Sequence, residues 1–577
     1  MNASSGIPGD LIEQLGRAAG RLFGDMLGHL ANLPAIDHAE IARGIAAGIA
    51  ADPARWRALQ EEHYREQLAL WQQLATPDAA PEVPQDRRFR APEWREQPWF
   101  AHLARAYDLN ARWLGRVVEA LEVEPRLKRR LRFFTRQYAD ALAPANFPHT
   151  NPEVLRLAAE TRGESLSRGL RNLVADLDRG RISMTDESAF TVGGNLAVTP
   201  GAVVFENEYF QLLQYAPVTD TVRATPLLIV PPFINKYYIL DLQPANSFVR
   251  YAVEQGYTVF LVSWRNAGPE LAHATWDDYL EHAVLRALDV TLEIAGTRTA
   301  HTLGFCVGGT LLAAALAVQR ARRRNRAASL TLLTTMLDFG DTGDLGVFVD
   351  EAYVAAREQA FAQGGLFHGR DLMATFSSLR PNDLIWPYVV NNYLKGRSPE
   401  PFDLLYWNSD STNLPGPMYA YYVRQTYLEN NLRVPGRLAM CGTPVDLGRI
   451  RLPCYVLATR EDHIVPWQTA YASARLLKGS AVEFVLAASG HIAGVVNPAA
   501  ANRRNFWTGG KAAKHPDKWL ATAQSVPGSW WPHWAAWLAA RDPEQVPARI
   551  QLGSPRYPVL EPAPGRYVKV RCEDISA

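Results

Sequence analysis

The chain has 577 residues, 47% hydrophobic and 21% charged, with a net charge of +1; this describes a globular protein with ample core and gives no electrostatic reason to expect nucleic acid as a partner. At this length two domains are the default. Four cysteines (Cys306, Cys441, Cys454 and Cys572) show no pairing pattern and no CxxC, which fits a reducing cytoplasm, and neither an export signal nor a membrane-spanning apolar run is visible.

The first third of the chain reads as helices. Pro8-Gly9-Asp10 followed by Glu13 resembles a capping box, and Leu11, Leu15, Leu22, Met26 and Leu30 recur at helical spacing. Further helices are expected over Pro53–Leu74, Phe100–Leu121, Lys128–Leu142 and Pro152–Leu177, with broken Pro-rich chain from Pro77 to Pro98. A helical domain over 1–187 follows, in which Trp56, Trp71, Trp94 and Trp99 serve either as packing or as a docking surface for something apolar or a partner subunit.

From Ser188 the period changes. Apolar β-rich runs appear at Val203–Glu206, Tyr209–Tyr215, Leu227–Pro231, Tyr257–Ser263, His301–Cys306, Leu330–Thr335, Cys454–Thr459 and Val482–Ala487, most of the later ones separated by helical stretches. Continuous apolar strands alternating with helices predict a mostly parallel sheet covered on both faces. The alternation stops between Leu337 and Pro453, an interval rich in Tyr, Trp, Phe, Asn and Pro and too long for a loop; it is expected to cap the site within a catalytic domain over 188–577. A single helix is expected over Trp519–Leu538.

Gly304-x-Cys306-x-Gly308 stands between the end of an apolar strand and an Ala/Leu-rich helix, as a nucleophile elbow does, with cysteine in place of the usual serine. The helix N-terminus favours a thiolate there. The fold carries its triad in the chain order nucleophile, acid, histidine. Asp462 follows the run Cys454–Thr459, and His491 follows Val482–Ala487, so each lies past the C-terminal end of a strand. Glu461 and His463 flank Asp462, but alternate side chains on an extended segment point opposite ways, and Asp462 leads into an Ile-Val-Pro turn. No Cys/His cluster has zinc-ligand spacing. The run Arg320–Arg326 lies at the far end of the nucleophile helix, where cations favour the dipole, and reads as a solvated face.

These motifs make the chain resemble the class I polyhydroxyalkanoate synthases, members of the α/β-hydrolase superfamily. The specific texts are Pro231-Pro-Phe-Ile-Asn-Lys-Tyr-Tyr-Ile-Leu-Asp-Leu242, Gly304–Gly309, Leu379-Arg-Pro-Asn-Asp383, Tyr406-Trp-Asn-Ser-Asp-Ser-Thr-Asn-Leu-Pro-Gly416, Arg460–Trp467, Gly490–Pro498 and Gly528-Ser-Trp-Trp-Pro532. The resemblance implies an α/β-hydrolase fold with a cap insertion at 337–453, and an acyltransferase that polymerises (R)-3-hydroxyacyl-CoA into polyester. Cys306 would be the acylated nucleophile, His491 its base and Asp462 the third member, with backbone N–H groups of Val307 and of Ile234 or a neighbour as the oxyanion hole. It assigns Trp407, Arg380 and Ala493 to substrate handling or gating; Ala493 stands where medium-chain relatives tend to carry Gln, which favours short monomers. It implies no metal and no cofactor beyond the coenzyme A of substrate and product. It also implies a cytoplasmic homodimer on the surface of polyester granules, with phasin-type proteins as further partners. The alternative on the same fold is a thioesterase or depolymerase.

Overall fold

The computed structural model describes residues 38–74, 83–479 and 481–575; the capping box and leucine repeat of the first 37 residues lie outside them. Two compact units form. Of the described residues, one holds those up to Asp186 together with Thr375–Pro401, and the other holds Glu187–Ala374 and those from Phe402 onward. The interval 337–453 is therefore divided between the units. Its central piece is tied to the helices: Asn172 Nδ2 donates to the carbonyls of Asn392 (3.0 Å) and Arg397 (3.1 Å), Tyr393 Oη donates to Asp176 (2.7 Å), and Lys395 pairs with Glu153 at 2.6 Å.

The helical unit contains His38–Ala51, Pro53–Leu74, Pro98–Ala120 and Pro125–Ala141, three of which start on proline, where the missing N–H is unneeded. The expected helix over Pro152–Leu177 is two, Pro152–Glu160 and Glu164–Arg179, because Gly163 takes φ +84° between them. The tryptophans divide as well. Trp94 is buried edge-on against Phe89 and Phe100 and belongs to the core, whereas Trp71 and Trp99 are 55% and 52% exposed on either side of His102.

The second unit is built on an 11-stranded sheet. In chain order its strands are β1 (Gly201–Glu206), β2 (Phe210–Tyr215), β3 (Leu227–Val230), β4 (Val259–Trp264), β5 (Ala300–Phe305), β6 (Ala327–Leu333), β7 (Cys454–Thr459), β8 (Val482–Ala487), β9 (Asn505–Thr508), β10 (Gln524–Pro527) and β11 (Glu561–Pro562). They lie in the order β10-β9-β8-β7-β6-β5-β3-β4-β2-β1-β11. The six from β4 to β8 are parallel and antiparallel strands finish both edges. β3, β4, β5 and β7 are buried at every position, as a sheet covered on both faces requires. The chain leaves β3 for β4 on one side and returns to β5 on the other. That reversal opens a crevice beyond the C-terminal ends of β3 and β5.

The expected helix over Trp519–Leu538 is replaced by a short helix Pro516–Leu520, the strand β10 and a helix Trp531–Ala539. Gly528, at φ +93°, turns the chain between the last two, and β10 pairs with β9 to prolong the sheet. Its sequence Gln-Ser-Val-Pro is an edge strand whose pairing partner, not its own propensity, decides its conformation.

Candidate active site

β5 ends at Phe305 and a helix runs from Val307 to Ala321, leaving Cys306 alone in the turn at φ +53°, ψ −129°. A non-glycine residue holds such a conformation only when its surroundings over-determine it. Here they do. Cys306 N–H donates to Leu333 O on β6 (2.9 Å), and Thr335 Oγ1 donates to Cys306 O (3.2 Å). Gly304 lies against the Cα of Gly309, and Gly308 against the Pro231 carbonyl, so closely that a Cβ on either would overlap its neighbour. The sulfur is thus half-buried at the positive end of the helix.

Asp462 and His491 come from the ends of β7 and β8. His491 Nδ1 lies 2.7 Å from Asp462 Oδ2, with the carboxylate fully buried and the histidine side chain 4% exposed. Phe305, the residue before Cys306, stacks on the imidazole with ring centroids 5.7 Å apart, and the charge of Cys306 acts on the ring. Asp462 is supplied with donors at every lone pair direction that matters: Thr459 Oγ1 (2.9 Å) on Oδ2, and the backbone N–H groups of Ile464 (2.9 Å) and Val465 (2.8 Å) on Oδ1. Burial alone would raise the Asp462 pKa, yet the imidazole and these N–H groups outweigh it and hold the carboxyl below its usual range. Burial likewise disfavours imidazolium, but the charges of Asp462 and Cys306 prevail and His491 is raised. The pair is set to take up a proton.

The loop that carries His491 is pinned from outside. Glu461 accepts from the backbone N–H of Ser489, which stands at φ +83°. The indoles of Trp530 and Trp531 donate to the carbonyls of Gly494 (3.0 Å) and Val495 (2.9 Å). That gives the Gly528–Pro532 motif a physical role: two buried N–H donors fix the turn that aims the histidine.

The N–H groups of Val307 and Ile234, the expected oxyanion donors, have no acceptor among the described residues. Ile234 lies in the loop after β3, whose Pro231 carbonyl abuts Gly308 of the elbow. Trp407 is buried, and its indole donates to Lys236 O in that same loop at 2.7 Å. Ala493, half-buried two residues past the histidine, accepts through its carbonyl from Arg504. Arg380 belongs to the helical unit, where it pairs with Asp383 at 2.6 Å. Sequence reasoning missed Tyr422 and Tyr427. Both come from the insertion, both are raised by burial, and both feel the charge of Cys306. Nothing in their local pattern marks them; Tyr422 meets Phe233, in the loop after β3, edge-on only once the chain has folded.

The remaining candidates are structural. Arg322 is held by Glu281 (2.8 Å) and Arg326 by Asp289 (2.6 Å), so the arginine run is knitted to its neighbours. Burial, with Asp277 and Glu281, pushes the Cys441 thiol up to about 12, and Cys454 is buried in β7. Among the described residues no group of His, Cys, Asp and Glu could hold a metal ion, and no helix is long and apolar enough to cross a membrane.

A thiol under the influence of an imidazole that is itself paired with a buried carboxylate is equipped for acyl transfer. Comparisons with known proteins agree with that chemistry. A family model described as the poly-beta-hydroxybutyrate polymerase (PhaC) N-terminus matches residues 85–252, and one described as the alpha/beta hydrolase fold matches 225–498. The poly(3-hydroxyalkanoate) polymerase subunit PhaC of Cupriavidus necator is 55% identical over 91% of this chain and 90% of its own length. The subunit of the same name from Rhizobium meliloti is 43% identical over 84% and 80%. The poly(3-hydroxyalkanoate) polymerase of Methylorubrum extorquens is 42% identical over 90% and 88%.

Proposed function

As the chain belongs to the poly(3-hydroxyalkanoate) polymerase family, we propose that it polymerises short (R)-3-hydroxyacyl-CoA, chiefly 3-hydroxybutyryl-CoA, through an acyl thioester on Cys306. The observation that carries this reading is the buried hydrogen bond between Asp462 and His491 at the strand ends, with the imidazole under the charge of the elbow cysteine, Cys306.

His491 accepts the thiol proton, and the thiolate attacks the thioester carbonyl. The N–H groups of Val307 and Ile234 hold the oxyanion. Collapse expels the coenzyme A thiolate, which takes the proton back from His491, and leaves the acyl group on sulfur. Exchange of one thioester for another is nearly thermoneutral, so the activation survives; a serine ester would discard it. His491 next removes the proton from the 3-hydroxyl of a second acyl unit, whose oxygen attacks the Cys306 thioester. An oxygen ester forms as the thiolate leaves, which is downhill, and the chain lengthens.

Water would intercept that thioester in an open site. Tyr422 and Tyr427, packed with Phe339, are placed to exclude it. We assign Arg380 to coenzyme A or gating, Ala493 to monomer size, and the exposed Trp71 and Trp99 to the apolar surface of the polyester granule. A cytoplasmic homodimer with phasin-type partners, and no cofactor beyond the substrate's coenzyme A, complete the reading.

Supplying 3-hydroxybutyryl-CoA and separating products tests it. Polymer with coenzyme A release is expected; free 3-hydroxybutyrate in stoichiometric amount would make the protein a thioesterase instead.

A further inference from the structure

The loop that offers Ile234 is gripped at both ends by buried tryptophans. Trp264 Nε1 donates to Pro231 O at 2.8 Å, and Trp407 Nε1 donates to Lys236 O at 2.7 Å. Between these grips the chain gains little from its own residues: Pro231 and Pro232 have no N–H, and the Ile234 N–H is unpaired among the described residues. The return segment of the insertion supplies the rest. Thr412 N–H donates to Ile234 O (3.2 Å), Asn235 and Ser411 form an antiparallel bridge, and Tyr238 Oη donates to Asp410 (2.8 Å). Asn413 is fixed in turn by Asn266 Oδ1 (2.9 Å).

A carbonyl held by an N–H donor fixes the peptide plane on its far side, and a loop held at both ends sets the direction of the groups between. We propose that Trp407 and Trp264 are positioning residues for the oxyanion hole: their indole N–H groups hold the Pro231–Lys236 loop so that the Ile234 N–H meets the oxyanion as it forms. Neither indole need touch substrate. The contact of Gly308 with the Pro231 carbonyl ties the same loop to the elbow, so both donors share one reference. The inference rests on Ile234 being an oxyanion donor, as proposed above.

A donor aimed at charge that develops only in the transition state governs kcat more than KM. The decisive variant replaces Trp407 by 3-benzothienylalanine, which keeps the bicyclic ring and removes only the N–H; Trp407→Phe is the genetic companion. Steady-state kinetics with 3-hydroxybutyryl-CoA and the rate of Cys306 alkylation by iodoacetamide are measured on each full-length variant. Alkylation needs the thiolate and the histidine but no oxyanion hole. The expected result is a kcat lower by on the order of 10- to 100-fold, KM within about 2-fold, and alkylation unchanged. The same replacement at Trp264 should act in the same way. Unaltered kcat in the benzothienyl variant overturns the inference, as does a fall in alkylation that matches the fall in kcat. A wild-type enzyme that alkylates normally but never acylates Cys306 sinks the nucleophile assignment itself, a result distinct from either.

Discussion

Glu461 accepts a hydrogen bond from the backbone N–H of Ser489 and donates its own N–H to Ser489 O at 3.0 Å, so the residue before the acid holds the turn that delivers the histidine. The grip matters because Ser489 stands at φ +83°, a conformation a serine keeps only under constraint.

Loss of that acceptor should let the His491 loop drift. Glu461→Ala is expected to lower kcat on the order of 10-fold, since small misplacements of a catalytic group are costly. Glu461→Gln retains an acceptor oxygen and should restore most of the rate. Steady-state kinetics on the two variants check this; equal losses would show that the charge, not the hydrogen bond, is what counts.

Asp462 fixes the tautomer of His491 through the 2.7 Å contact at Nδ1. Asp462→Asn presents an amide there and should lower the rate by about 10²–10⁴-fold. Rapid-quench measurement of acylation and of elongation separately will show which step suffers. If Asp462 only orients His491, both steps fall together; a loss confined to elongation would assign the carboxylate a direct part in activating the hydroxyl.

The same pair predicts a pH signature in stability. His491 is raised in the folded protein, so its contribution is complete below the unfolded histidine value of about 6.5 and is lost as pH climbs through the folded value. Asp462 is lowered, so its contribution is complete above the unfolded value of about 3.9 and is lost as pH falls through the folded one. Denaturant titrations of wild type and His491→Gln, compared between neutral and mildly alkaline pH, should show wild type losing up to about 1.4 kcal/mol more per pH unit. Parallel curves would mean that the imidazole carries no extra proton in the folded state.

Ala493 sits two residues past the histidine with its carbonyl tied down by Arg504, so its side chain has a defined direction. Ala493→Gln, the residue medium-chain relatives tend to carry, should raise the share of six-carbon over four-carbon monomer in competition assays. An unchanged product ratio would remove this position from monomer selection.

The elbow and its partners were legible in the sequence because each follows an apolar run that could only be a buried strand, and because Gly304, Gly308 and Gly490 mark turns beside them. Contacts made at a distance were not. The pattern of Thr375–Pro401 does not tell that Asn172 and Asp176 will bind it into the helical unit. Nor does an apolar Trp519–Leu538 reveal that Gln524–Pro527 joins the sheet edge and that Gly528 turns the chain after it. Tyr422 and Tyr427 come under the charge of Cys306 only in the assembled fold. Local pattern yields strands and turns; which loop meets which depends on the assembled sheet.

The central claim is that one sulfur carries the growing acyl chain. Acid-quenching the enzyme within a single turnover of 3-hydroxybutyryl-CoA, then mapping peptides by mass spectrometry, reads it directly. A hydroxylamine-labile 3-hydroxybutyryl group on Cys306, absent from Cys306→Ala, is the predicted result. Polymer formed with no acyl group on that residue, or by the Cys306→Ala variant, would contradict it.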